Sequence, residues 1–373
     1  MFARVPPEGF ASGGQYARFN SPHDQPLGSD HHELAVGAVA PASANVITDW
    51  DEKGVAAVAS LASAPSSSVK AALASYLASL PDDPARTAGV QLGEAVAAKV
   101  LEARANDGSD APDDYRPQTT PGVYVPTPIM RGPMWPRMKP FAMTSSSQFR
   151  PGPPVALDGN EWATDFNEIK DYGAQKSTKR TVQQTETARF WLIAGPIAYH
   201  PFLRQLAIAK GMGVVESARF MTLAALAIND ALIAVLDAKY HYNFWRPITA
   251  IRNGDIDGNP ATDREATWLP IADTPMHPEY PCAHCIASGS VAGVVKAVLG
   301  TEEIPEIATS SPTAPGVTHR WTNMTAFTQE VANARMWSGF HYRSSTRVGT
   351  AMGLKIGEYV VKSVMQPVET SSR

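Results

Sequence analysis

The sequence predicts an all-α protein, built of helical bundles crossed by a long Pro-rich wrapping segment, and three observations carry that expectation. Apolar residues recur at three- and four-residue spacing, among strong helix formers, over most of the chain. Alternation of period two is scarce, and no strand–helix–strand rhythm appears. Residues 107–160 hold runs such as "PTPIMRGPMWPRMKPFAM" and "QFRPGPPVAL", which admit neither regular helix nor a central strand. That segment must run extended over a scaffold.

Taken in order, residues 1–45 are rich in Gly, Pro, Ser and His without periodicity and read as a disordered arm or the remnant of a signal. Within them "LAVGAVAPASA" (Leu34 to Ala44) looks like the end of an export signal, although His31, His32 and Glu33 precede it. Residues 46–365 form one helical domain. Its N-terminal helices fall in 46–106, on "VAAVASLASA", "VKAALASYLASL" and "VQLGEAVAAKVLEARA". The wrapping segment occupies 107–160. A bundle at 161–365 follows, with helical patterning in "WATDFNEIKDYG", "TVQQTETARFWLIAG", "FLRQLAIAKGM" and "VESARFMTLAALAINDALIAVLDAKYHY". Later helices are expected after Cys285, around Thr325 to Trp337, and from Arg347 to Val364, and residues 366–373 are a tail.

A chain of 373 residues, 44% hydrophobic, can bury a large core. Its formal net charge of -4 and pI near 6.1 give no pull toward nucleic acid or an anionic membrane, so any anion specificity must be local. No uninterrupted apolar run reaches the roughly 18 residues of a spanning helix, so membrane insertion is not expected. Small molecules are the expected partners, with a homodimer as the assembly the sequence allows. The signal-like stretch favours the periplasm or the cell exterior over the cytoplasm without establishing export.

Three segments carry chemistry. In "DAKYHYNFWRPITAIR" Lys239 and Arg246 lie seven positions apart, about two helical turns, so a continuous helix would set both cations on one face. Pro247 disfavours helix at Arg246 and can turn its guanidinium inward. By themselves such cations are more often a solvated helix end. In "HPEYPCAHCIASGSVAGVVKAVLG" a Pro-containing turn leads into an apolar helix, whose N-terminal N–H groups suit a phosphate-like anion. His284 falls in its first turn, where it can serve as general acid or base beside an anion. In "ARMWSGFHYRSSTRVGTAMG" Arg335 and His341 are six positions apart, about 600° of helix, and share a face only if the chain breaks between them. Gly339 can supply that break.

Lys, six residues, then Arg-Pro; a later Pro-Ser-Gly-His; then Arg, five residues, His: this order resembles the vanadium-dependent haloperoxidase and type 2 phosphatidic acid phosphatase (PAP2) superfamily. Lys239, Arg246, Pro247, Pro281, His284, Arg335 and His341 fit the pattern, and "ANVITDW", "KPFAM" and "HPEYP" look like its soluble bacterial branch from about Asn45 to Val364. The resemblance implies that helical fold and a pocket for vanadate or, alternatively, for the phosphate of a substrate. Lys239, Arg246 and Arg335 would bind the equatorial oxygens, with Cys282 and Ala283 at the rim. His341 would be the axial residue, binding vanadium or attacking phosphorus, and His284 would handle protons on the opposite side. The implied activity is oxidation of halide by hydrogen peroxide. Hydrolysis of a phosphate ester through His341 is the alternative, and binding without turnover a third.

The chain departs from the family pattern in places. Ser-Gly before the histidine is replaced by Cys282 and Ala283, which exchanges a good hydroxyl donor for a weaker thiol. A free thiol beside peroxide is an oxidation target, whereas Cys282 and Cys285, one turn apart, can pair. A thioredoxin-like centre would need a βαβ scaffold, and zinc more ligands than this motif offers. Ser345 stands where many relatives place an Asp that orients the axial histidine, and so would orient it without a charge. His277 takes a position where the resemblance suggests histidine in bromide oxidisers; a surface histidine is the plain alternative.

Overall fold

The computed structural model describes residues 67–126, 130–193 and 195–366. The expected arm at 1–45, the helix on "VAAVASLASA" and the tail from 367 lie outside the described residues. Ten α-helices occur among them, with a single two-stranded sheet. They run α1 (Ser67–Ser79), α2 (Pro84–Arg104), α3 (Asn160–Gly173), α4 (Val182–Phe190), α5 (Pro196–Ala209), α6 (Val214–Tyr242), α7 (Pro247–Arg252), α8 (Ala283–Leu299), β1 (Glu303–Ser311), β2 (Ala314–Asn323), α9 (Met324–Trp337) and α10 (Arg343–Ser363). By compactness the chain divides into residues 1–109, 212–222 and 367–373, and residues 110–211 and 223–366.

In the first unit α1 is followed, after a short Pro- and Asp-rich turn, by α2. Pro84 opens α2 behind Asp83, whose carboxylate caps it by accepting from Arg86 N–H, and the Arg86 guanidinium donates back to the carbonyls of Leu77 and Leu80 at the end of α1. Tyr76 is buried there against Leu73 and Leu80.

The second unit is centred on an aromatic core in which Trp162, Phe166 and Ile169 of α3 pack with Phe244, Trp245, Trp268, Tyr280 and Tyr342. Helix α6 passes through it. By length and composition α6 could cross a membrane, yet 89% of its apolar window is buried inside the protein, as in the core helix of a bundle. Two acids on α6 hold the Pro-rich segment. Asp230 accepts from the N–H groups of Phe141, Ala142 and Met143 at 2.7, 2.8 and 2.9 Å, and Asp237 takes a bidentate pair from Arg150 at 2.7 and 2.8 Å. Backbone donors that a Pro-rich chain cannot use in a ladder are thus satisfied by carboxylates. Among its described residues before α3 the wrapping segment holds neither α-helix nor strand, mixing extended stretches with turns and bends and one short 3₁₀ turn at Trp135–Arg137.

Helices α8 and α10 approach so closely that their contact faces admit only small residues. A Cβ on Gly289 would sit 2.5 Å from the carbonyl oxygen of Thr350, one on Gly293 2.5 Å from that of Leu354, and on Gly353 and Gly357 it would collide with the carbonyls of Ile286 and Ser290. This rigid pair positions the start of α8 and the start of α10, which both border the site.

The β1–β2 hairpin departs from a purely helical expectation. The strands pair antiparallel from Glu303 opposite Asn323 to Ser311 opposite Ala314, with irregular register between Glu303 and Ile307 and again between Ser310 and Ser311. Pro305 sits in the first irregularity, which is where a strand tolerates it. The prolines at 305, 312 and 315 hide the alternation from a reading of the sequence.

Replacing Gly353 by Ala should cost about 1–3 kcal/mol of stability, read as a lower urea midpoint at unchanged slope. Gly152→Ala, where a Cβ meets nothing within 4 Å, serves as the control and should stay within about 0.5 kcal/mol. Equal midpoints for the two variants would contradict the close approach of α8 and α10.

Candidate active site

Lys239 lies in the last turn of α6 and is fully buried. The helix ends at Tyr242 and Asn243 takes φ +50, held by a 2.8 Å hydrogen bond from the Tyr115 hydroxyl to its Oδ1. The common helical face expected for Lys239 and Arg246 therefore does not exist, and the chain reversal brings the two together instead. Arg246 is extended (φ -78, ψ 153) ahead of Pro247, the first residue of α7, as the sequence predicts.

Arg246 is the hub. Its Nε donates to His277 O at 2.9 Å and its Nη1 to Phe340 O at 2.9 Å. Nη1 also lies 3.3 Å from His341 Nε2, and Nη2 3.1 Å from His277 Nδ1. Lys239 Nζ donates to the carbonyls of Pro278 and Glu279 at 2.9 and 2.7 Å. Arg335, at the end of α9, is buried too. Its Nη1 donates to Trp191 O at 2.8 Å, the guanidinium lies 4.8 Å from the Phe340 ring centroid, and its Nε has no hydrogen-bond partner among the described residues. The expected break between Arg335 and His341 is present. Helix α9 stops at Trp337, Gly339 takes φ +78, and a Cβ there would lie 2.6 Å from Gly173 O.

His341 is 1% exposed and held at both nitrogens. Its Nδ1 lies 2.8 Å from Glu279 Oε1, and its Nε2 faces the Arg246 guanidinium. A carboxylate accepts and a guanidinium donates, so Nδ1 carries the proton and Nε2 the lone pair. Glu279 is a residue the sequence reading misses. It is fully buried, accepts also from Tyr342 N–H at 3.2 Å, and has one oxygen, Oε2, without a hydrogen bond among the described residues. The available signal is an acid inside the otherwise apolar run "HPEYPC", far in sequence from any cation.

Burial and mutual repulsion set the electrostatics. Burial, and next the charge of Arg246, push Lys239 well below the ordinary lysine range. Burial brings Arg246 down to about 10 against the opposing pull of Glu279, and with the charge of Arg246 it brings Arg335 to about 9. His341 is held well below 6.5 by burial and the three cations, and so is neutral. Burial raises the Glu279 carboxyl to about 7, against the attraction of Lys239 and Arg246.

The remaining expected residues fall around this cluster. His284, second residue of α8, points Nε2 at Ile193 O 3.0 Å away, so Nε2 donates and Nδ1 carries the lone pair. It makes no hydrogen bond to the cluster; after burial, Arg335 is the strongest influence lowering its pKa. Cys282 caps α8, its N–H donating to Ser345 O at 3.3 Å, and its sulfur is joined to Cys285 in a disulfide. Neither its thiol nor its N–H is free for the rim role the family pattern implies, while Ala283 begins α8 among the open donors of a helix N-terminus. Ser345 does not orient His341. Its buried Oγ has no hydrogen-bond partner among the described residues and lies beside Glu279, whose charged form it favours. His277 is partly buried against Arg246 rather than a surface histidine.

The hairpin explains how Arg335 is held. Trp321 of β2 packs against Trp191 (centroids 5.9 Å) and Phe327 (5.2 Å), while Trp191 Nε1 and His319 Nδ1 both bond Glu330, at 2.9 and 2.8 Å. Trp191 is thereby fixed, and its carbonyl receives Arg335.

Three buried cations with one carboxylate among them surround an imidazole lone pair, an arrangement whose chemistry suits an oxyanion. Residues 219–370 match the family model described as the VCPO second helical-bundle domain. The vanadium chloroperoxidase of Curvularia inaequalis is 25% identical over 213 residues, 48% of this chain and 34% of that protein, so the match spans about a third of that relative's length. A bacterial vanadium-dependent iodoperoxidase structure is similar with a TM-score of 0.70 and 24% identity, covering 83% of this chain and 79% of that one. A holo-type bacterial vanadium-dependent chloroperoxidase has a TM-score of 0.64 at 18% identity, covering 90% of each chain. Residues 219–370 thus resemble the second helical bundle of the vanadium chloroperoxidases, and the fold is that of the bacterial vanadium-dependent haloperoxidases.

Such a site should be stabilised by an oxyanion that binds it. Inorganic phosphate at about a hundred times its dissociation constant should raise unfolding free energy by roughly 2.7 kcal/mol, and Arg335→Ala should abolish the increment. An equal phosphate effect in the two proteins, read by thermal unfolding, would contradict the assignment of Arg335 to the pocket.

Proposed function

We propose that this chain is a haloperoxidase-like enzyme that holds vanadate at Lys239, Arg246, Arg335 and His341 and oxidises halide with hydrogen peroxide. The observation that supports it most is the excess of buried positive charge beside the Nε2 lone pair of His341, together with the unpartnered Nε of Arg335. When bound, vanadate supplies a Lewis-acidic centre that activates peroxide.

The chain's own residues supply the rest. Lys239, Arg246 and Arg335 neutralise and orient the oxyanion from fixed positions, because backbone carbonyls already hold each side chain. His341 would hold vanadate through Nε2. His284, with Nε2 donating to Ile193 O, keeps Nδ1 to take the proton that peroxide releases. The disulfide leaves no free thiol at Cys282 or Cys285 for peroxide to oxidise, which favours the peroxidase over the phosphatase reading. It also supports a working place in an oxidising compartment, periplasmic or secreted. His277, held on Arg246, makes bromide the halide to test first.

Two assays in parallel test the proposal: bromide- and peroxide-dependent halogenation of a β-diketone after vanadate loading, and aryl phosphate hydrolysis in vanadate-free buffer. Halogenation without hydrolysis is expected, falling to background in His341→Ala and by roughly a hundredfold in Arg335→Ala. Hydrolysis without halogenation would overturn it in favour of a phosphatase with His341 as nucleophile. Tight vanadate binding with neither activity would leave a binder without turnover.

A further inference from the structure

We propose that Glu279 is the positioning residue of His341: it fixes the ring so that Nδ1 keeps the proton and Nε2 presents its lone pair to the cationic pocket. The geometry is specific. Glu279 Oε1 lies 2.8 Å from Nδ1 and 3.2 Å from the backbone N of Tyr342, so one oxygen grips both the ring and the peptide that follows it. The backbone of Glu279 is held from behind. Lys239 Nζ bonds the carbonyl of Glu279, and Glu279 N–H donates to Phe244 O at 2.9 Å, which ties its backbone to the reversal between Lys239 and Arg246. Position 345, one turn past His341 on α10, offers only a serine hydroxyl without a hydrogen bond among the described residues. The orienting carboxylate thus comes from the turn before α8 and not from α10, the helix that follows the histidine.

A charge-balancing role and a positioning role make opposite demands on anion binding. Removing a negative charge from among three cations strengthens purely electrostatic capture of an anion. Loss of the group that orients a ligating histidine weakens the bond made through its other nitrogen, typically by 10–100-fold. Phosphate, bound by charge alone, and vanadate, bound also through Nε2, therefore separate the two roles.

The experiment uses the full chain, with Glu279→Gln, which keeps a neutral acceptor, Glu279→Met, which removes it, and the double variant Glu279→Met with Ser345→Asp. Nitrogen NMR of histidine-labelled protein, with His341→Asn to assign the signal, reports which ring nitrogen carries the proton. Calorimetry measures orthovanadate and inorganic phosphate separately. We expect the wild type to show protonated Nδ1, and Glu279→Met to show a mixture of tautomers. In Glu279→Met vanadate should bind at least roughly tenfold more weakly while phosphate binds as tightly or more so, with Glu279→Gln intermediate. The double variant should recover the single tautomer and part of the vanadate affinity. A single unchanged tautomer in Glu279→Met, or parallel changes for the two anions, would overturn the proposal. The vanadate comparison rests on the proposed function, and the tautomer readout does not. A wild type that binds neither anion would end that function and leave the role of Glu279 to be decided by the ring nitrogens.

Discussion

Burying an ionised group without compensation costs several kcal/mol, and this protein buries three of one sign side by side. Lys239, Arg246 and Arg335 each spend hydrogen bonds on backbone carbonyls, those of Pro278, Glu279, His277, Phe340 and Trp191. Carbonyl dipoles solvate the cations without neutralising them. The carboxylate of Glu279 opposes that charge, and burial, followed by the excess that remains, depresses the pKa of His341 and of Arg335. An anion entering the pocket relieves that repulsion, so the same arrangement that is expensive when empty gives affinity when filled.

Much of the surrounding fold serves to hold this arrangement against its own repulsion. The glycine faces of α8 and α10 lock two helices whose first turns border the site. The Pro-rich segment is pinned to α6 through Asp230 and Asp237, and it braces the turn after Lys239 by pairing Gly122 and Tyr124 with Trp245 and Asn243. The hairpin and its aromatic cluster fix Trp191, whose carbonyl is the counterpart of Arg335. Each of these acts on a backbone carbonyl or a chain reversal, which keeps the cationic side chains from swinging out to solvent.

What was legible in the sequence was local. Pro247 forces Arg246 out of the helix, and six positions between Arg335 and His341 require the break that Gly339 provides, because each follows from backbone sterics over a few residues. The helical patterning and the Pro-rich segment were readable for the same reason, whereas the five charged or imidazole positions stood out only through the order and spacing of three motifs and the family resemblance they carry. Glu279 was not readable, since its partner His341 is 62 positions away and no local spacing couples a carboxylate to it. The pattern drew attention to Ser345, on the helix that follows the histidine. The hairpin was hidden because prolines break its alternation, and its stability comes from packing Trp321 against Trp191 and Phe327. The shared face of Lys239 and Arg246 was mistaken because the left-handed Asn243 ends the helix before Arg246 is reached.

The most direct test of the central claim is a crystal structure of the wild-type protein soaked with orthovanadate. Vanadium is expected within bonding distance of His341 Nε2, with its oxygens on Lys239, Arg246 and the presently unpartnered Nε of Arg335. Vanadium bound away from His341, or a pocket that stays free of anion at saturating vanadate, would contradict the account.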